Sequence, residues 1–255
     1  MLLAIDIGNT NTVFALCDNE IIAQWRISTN AQRTGDEYAV WLLQLMQHEG
    51  IEPSAVKAAI LSSVVPEAVF AISQCCKAYF HTECALVGDA RMDVGIEVKI
   101  DRPNELGADR LVNAVAAWNR FAKPMVIVDF GTATTFDVVD AEGAYVGGVI
   151  APGVNLSLEA LQKAAAKLPG IRIRQPEKVI GTGTVGAMRS GIYYGYVGMI
   201  EGIVSRIKQE YGAEMTVVAT GGLASLYAAE TDMIDHVDSD LTMQGLHLIY
   251  QRNKT

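Results

Sequence analysis

Met125-Val126-Ile127-Val128-Asp129-Phe130-Gly131-Thr132-Ala133-Thr134 is an apolar run that ends on a carboxylate, a glycine and hydroxyl side chains. The chain opens in the same way, with Leu2-Leu3-Ala4-Ile5-Asp6-Ile7-Gly8-Asn9-Thr10-Asn11. A constant offset of 123 residues, Asp6 to Asp129, also matches Gly8 with Gly131, Thr12 with Thr135 and Ile27 with Ile150, without a gap. The downstream segments stay in phase. Thr12 to Leu16, a turn at Asp18-Asn19 and Ile21 to Ile27 answer to Thr135 to Val139, a turn at Glu142-Gly143 and Ala144 to Ile150. The spacing predicts three meandering strands, twice. Asp, Gly, Asn and Thr are common in ordinary hairpin turns, but their repetition in register favours a duplicated functional unit. A strand that delivers a carboxylate, then a glycine that lets backbone N–H groups approach closely, suits a metal-bound phosphate.

At 255 residues the chain fits two modest domains. Half of it is hydrophobic, and no tract is dominated by proline, serine or like charges. The formal charge of -9, without a Lys/Arg cluster, argues against nucleic acid or an anionic membrane as partner. No basic n-region precedes Asp6, so no signal peptide is expected. The uncharged run from Ala144 up to Glu159 is shorter than the roughly 18 residues that span a bilayer. Cys17, Cys75, Cys76 and Cys84 lack C-x-x-C spacing and are read as reduced thiols of a cytoplasmic protein.

Between the repeats, Asp36 to His48 has helical spacing, and Val56 to Val65 is a buried strand stopped by Pro66. Leu106 to Phe121 is helical in pattern. The reading is a mixed α/β chain of two domains, 1–115 and 116–255, with the active site in a cleft between them. Gly107-Ala108-Asp109-Arg110 opens that last helix, where anions are favoured. Asp109 is suited to accept the proton of an attacking hydroxyl, and Arg110 to clamp a carboxylate or phosphate. An acidic first turn beside a surface arginine is the plainer alternative. Thr216 to Ala219 is a strand ending at Thr220-Gly221-Gly222, either a nucleotide-facing turn or only a tight one.

Gly181-Thr182-Gly183-Thr184-Val185-Gly186 matches the dinucleotide pattern G-x-G-x-x-G, but only Val179-Ile180 precedes it and one helix is expected from Val185 to Tyr211. These glycines are read instead as a loop presenting Thr184. Within the helix, Gly191, Gly195, Gly198 and Gly202 form a stripe that predicts close packing, against another helix of the domain or against a second subunit. No G-x-x-x-x-G-K-[ST] loop, zinc-like histidine spacing or G-x-S-x-G elbow is present.

The strings Asp6-Ile7-Gly8-Asn9-Thr10-Asn11, Ser62-Ser63-Val64-Val65-Pro66, Gly107-Ala108-Asp109-Arg110, Asp129-Phe130-Gly131-Thr132-Ala133-Thr134 and Gly147-Gly148-x-Ile150-x-Pro152-Gly153, in this order and spacing, resemble bacterial type III pantothenate kinase. The resemblance implies duplicated ribonuclease-H-like domains of the acetate and sugar kinase, chaperone ATPase and actin superfamily. It implies ATP-dependent phosphorylation of pantothenate, the first step towards coenzyme A, by a homodimer. By motif match it assigns Asp6, Ile7, Gly8, Asn9, Thr10, Asn11, Thr12 and Val13 to ATP phosphates with Mg2+, and Thr132 to a further phosphate contact. Asp129 is assigned to a monovalent cation, K+ or NH4+. Gly107, Ala108, Asp109, Arg110 and Thr184 are assigned to pantothenate, with Asp109 as proton acceptor. Ile100 departs from the tyrosine many members carry near pantothenate. A kinase for another small hydroxy or sugar substrate, and a non-catalytic ATP-binding regulatory protein of the same fold, are the competing readings.

Overall fold

The computed structural model describes residues 1–164 and 168–254. The first repeat folds as β1 (Leu2–Ile7), β2 (Asn11–Cys17) and β3 (Ile21–Ser28), followed by α1 (Gly35–His48), β4 (Ala58–Ser63), α2 (Pro66–Phe80), β5 (Cys84–Leu86) and α3 (Ala108–Phe121). The second folds as β6 (Met125–Phe130), β7 (Ala133–Val139), β8 (Tyr145–Pro152), α4 (Val154–Ala164), α5 (Thr184–Tyr211), β9 (Thr216–Gly221), α6 (Ala224–Ala228) and β10 (His236–Val237). A last helix, α7, covers Leu241–Arg252.

The duplication read from the sequence is a duplication of topology. One sheet has the order β3-β2-β1-β4-β5 and the other, read from its far edge, β8-β7-β6-β9-β10. In each, three antiparallel strands lead and two parallel strands come after, so β6 repeats β1 and β9 repeats β4.

Contacts divide the chain into two units, Met1–Glu97 with Asp101–Arg120 and the stretch from Asp240 on, and Val98–Ile100 with Phe121–Ser239. This division differs from the boundary at residue 115 expected from sequence. All of α3 but its last residue stays with the first unit, and α7 returns to it. The cause is burial: Met243, Leu246 and Ile249 of α7 pack with Leu2 and Ala4 of β1 and with Val112 and Val115 of α3. Gly245 is where α7 meets α3, since a Cβ there would stand 2.2 Å from the Val112 carbonyl oxygen. Each such fully buried aliphatic side chain contributes about 1.5–3 kcal/mol relative to exposure.

In the first unit, side-chain alternation sorts β1 to two cores. Leu3, Ile5 and Ile7 face α1 and α2, while Leu2 and Ala4 face α3 and α7. Asp6 shares the second face. The strand expected over 56–65 is shorter, and Pro66 takes the first position of α2, where its missing N–H costs nothing. In the second unit Val126, Val128 and Phe130 pack with α5 and α6, leaving Asp129 on the opposite face of the sheet.

Candidate active site

Asp6 lies at the end of β1, opposite Ser62 of β4 in the parallel register. The Ser62 hydroxyl donates to Asp6 Oδ1 at 2.6 Å. Burial pushes the Asp6 carboxyl up to about 7, the Ser62 bond opposes that rise, and the charge of Asp109 adds to it. Asp6 and Asp109 are therefore electrostatic neighbours, as their elements require: Asp6 is on the α3 face of the sheet, and Asp109 is in the first turn of α3. A cation beside the half-buried Asp6 would offset the cost of its charge. Among the described residues no cluster of three acidic, histidine or cysteine side chains could cage one. That donor set fits Mg2+ held by a single carboxylate together with nucleotide phosphates.

The loop after Asp6 is pinned by its own backbone and by two hydroxyls. Gly8 N–H donates to Asn11 O at 3.0 Å, and Thr29 N–H to Thr10 O at 3.0 Å. Thr29 Oγ1 donates to the Gly8 carbonyl at 2.7 Å. Its single proton is thus committed, so Thr12 donates in the 2.9 Å Thr12–Thr29 contact. Asn9, Thr10 and Asn11 stay exposed at the tip, Ile7 and Thr12 are buried and Val13 is half-buried.

Gly107 caps α3, its carbonyl accepting from Leu111 N–H at 3.1 Å. A Cβ on Gly107 would stand 2.6 Å from Asp109 Oδ1, so only glycine leaves room for that carboxylate. Oδ1 accepts from Arg110 N–H at 2.8 Å. Asp109 Oδ2 has no hydrogen bond among the described residues and is available as a proton acceptor. Ala108 and Arg110 are half-buried beside it. The first unit therefore brings Asp6–Val13 and Gly107–Arg110 together.

The second unit carries the other expected residues. Asp129 ends β6, opposite Thr220 of β9. Gly221 has φ +90°, and a Cβ there would lie 2.6 Å from Asp129 Oδ1. The glycine expected at this turn is thus demanded by a carboxylate. Thr132 is exposed at the turn tip, which Gly153 approaches so closely that its N–H donates to Thr132 O at 3.1 Å. Thr184 is exposed as the first residue of α5. Among the described residues no strand leads into Gly181, and a Cβ there would meet Ala187 N at 2.2 Å, so the glycine string is a tight helix entry and not a dinucleotide turn. The packing expected at the glycine stripe is not made by the described residues: Cβ atoms at Gly191, Gly195 and Gly198 would meet nothing within 4 Å. Ile100 is half-buried in the second unit.

Sequence reasoning missed Thr29 and had no role for Ser62. The signal for Ser62 was faint, a polar residue closing an apolar strand; Thr29 gave none.

Two sheets of one topology, each delivering an aspartate at the end of its first strand, define the actin-like ATPase and sugar kinase fold. Among solved structures the chain is similar to the activator of the 2-hydroxyisocaproyl-CoA dehydratase from Clostridium difficile with bound ADPNP, with a TM-score of 0.51 and 11% identity over 99% of this chain and 97% of that one. The family model for type III pantothenate kinase matches residues 2–206. Curated type III pantothenate kinases from Rhodospirillum rubrum and Paramagnetospirillum magneticum are 57% and 56% identical, each over 100% of this chain and covering 99% and 98% of their own length. The chain belongs to the type III pantothenate kinase family, and its activity is ATP-dependent phosphorylation of pantothenate with a divalent metal ion.

Proposed function

We propose that the first unit holds both the metal-nucleotide and the base of this reaction. The observation that carries this reading is the electrostatic proximity of Asp6 and Asp109, two carboxylates with different surroundings. Asp6 is desolvated and suited to a metal ion, which when bound neutralises charge on the phosphates. The loop amides from Gly8 to Val13 bind those phosphates. Asp109 accepts the proton of the pantothenate primary hydroxyl as its oxygen bonds to the γ-phosphorus and the bond to the β,γ-bridging oxygen breaks, releasing ADP. Arg110 holds the pantothenate carboxylate, and Gly107 and Ala108 line its site.

Asp129 holds a monovalent cation, K+ or NH4+; its closeness to the Gly221 backbone supports a compact oxygen-lined site. The active assembly is a homodimer. Exposed Gly191, Gly195 and Gly198, with Ile180 82% exposed just before α5, support a second copy as the missing packing partner. The free cysteines support a cytoplasmic setting. Among the described residues no helix is long and apolar enough to cross a membrane.

The test is Asp109→Asn, which removes the proton acceptor and keeps the shape. Turnover should fall about 10²–10⁴-fold while ADP binding persists. A variant keeping most of its kcat removes Asp109 from the base role.

A further inference from the structure

We propose that Ser62 is a positioning residue for phosphoryl transfer: its hydroxyl fixes the Asp6 carboxylate through Oδ1 and leaves Oδ2 for the metal ion of the metal-nucleotide. The inference rests on the reading of Asp6 given above. Asp6 and Ser62 are direct neighbours in a parallel pair, so the strand register dictates their meeting across 56 residues of sequence. Ser62 is fully buried and has one proton to donate. At 2.6 Å that proton makes a short, charge-assisted bond. Asp6 Oδ2 has no hydrogen bond among the described residues.

Two comparisons separate this role from simple satisfaction of a buried group. The adjacent Ser63 serves the backbone instead, its hydroxyl donating to Val65 O and accepting from Val65 N–H, both at 3.0 Å, at the turn into α2. The second unit repeats the pairing, with Thr220 opposite Asp129 in the same parallel register. A hydroxyl-bearing residue in register with the strand-end aspartate is thus common to both halves. A carboxylate held through one oxygen presents the other in a fixed direction, and outer partners of this kind alter metal affinity about 10–100-fold when removed.

The experiment is calorimetric binding of ADP to the wild-type chain and Ser62→Ala, once with Mg2+ and once with EDTA. Wild type should bind ADP more tightly with Mg2+. Ser62→Ala should lose about 10–100-fold in the Mg2+ titration and stay within about twofold of wild type in EDTA. An unchanged Mg2+ titration, or equal losses in both, overturns the positioning role. Should the alanine variant fail to fold, Ser62→Thr decides: it keeps a hydroxyl and should keep the Mg2+ effect, and a folded threonine variant without it overturns the proposal. A wild-type chain that binds ADP equally with Mg2+ and EDTA would instead overturn the reading of Asp6 beneath it.

Discussion

Asp6→Asn should stabilise the ligand-free protein while abolishing its response to metal-nucleotide, and the gain should grow with pH. Burial raises the Asp6 carboxyl from its ordinary 3.8 to about 7. Between those values the folded state binds a proton that the unfolded state has released, so the stability of the wild-type chain falls as pH rises through this window. Integrated, the cost of the folded charge is about 1.5 kcal/mol at pH 5 and about 4 kcal/mol at pH 8. Asparagine carries no charge to desolvate and still offers Ser62 an acceptor oxygen. The stability difference between Asp6→Asn and wild type should therefore widen by about 2–3 kcal/mol from pH 5 to pH 8. Urea unfolding of both proteins at the two pH values, without nucleotide, measures it directly. Adding ADP with Mg2+ at pH 8 should then raise the midpoint of wild type and not of the variant. A difference that stays constant with pH would refute the claim that Asp6 carries a desolvated charge.

Two further substitutions test how the loops are held. Thr29→Val removes the hydroxyl that donates to the Gly8 carbonyl at 2.7 Å, and KM for ATP should rise about five- to tenfold, with kcat for saturating ATP changed less; an unchanged KM would free the loop from Thr29. Gly221→Ala places a Cβ at φ +90° and 2.6 Å from Asp129 Oδ1. It should cost more than about 1 kcal/mol of stability and weaken activation by K+ before it weakens ADP binding. Activation that survives intact would detach Asp129 from the cation.

The duplicated meander was legible because its signals are local: strand alternation, a carboxylate at the strand end and turn residues at one fixed offset. The same locality found Gly107–Arg110, where a glycine cap and an acidic first turn mark a helix start. What was not legible depends on pairing at a distance. The periodicity of Leu241, Met243, Leu246 and Ile249 indicates an apolar helix face but not which sheet it covers, so the return of α7 to the first unit was invisible. The Asp6–Ser62 bond needs the parallel register of β1 and β4, and the Thr29–Gly8 bond needs the β3 edge to fold back over the loop. The glycine stripe shows the opposite failure. Small residues at helical spacing say that something comes close, and the described residues supply nothing at three of the four positions.

The most direct measurement is initial-rate ADP release by the purified chain with ATP, Mg2+ and pantothenate, in K+ and again in Na+. Saturable release that requires pantothenate, falls when Na+ replaces K+, and drops about 10²–10⁴-fold in Asp109→Asn is the predicted result. Release that is indifferent to pantothenate, or that saturates with a hexose in its place, would contradict the account.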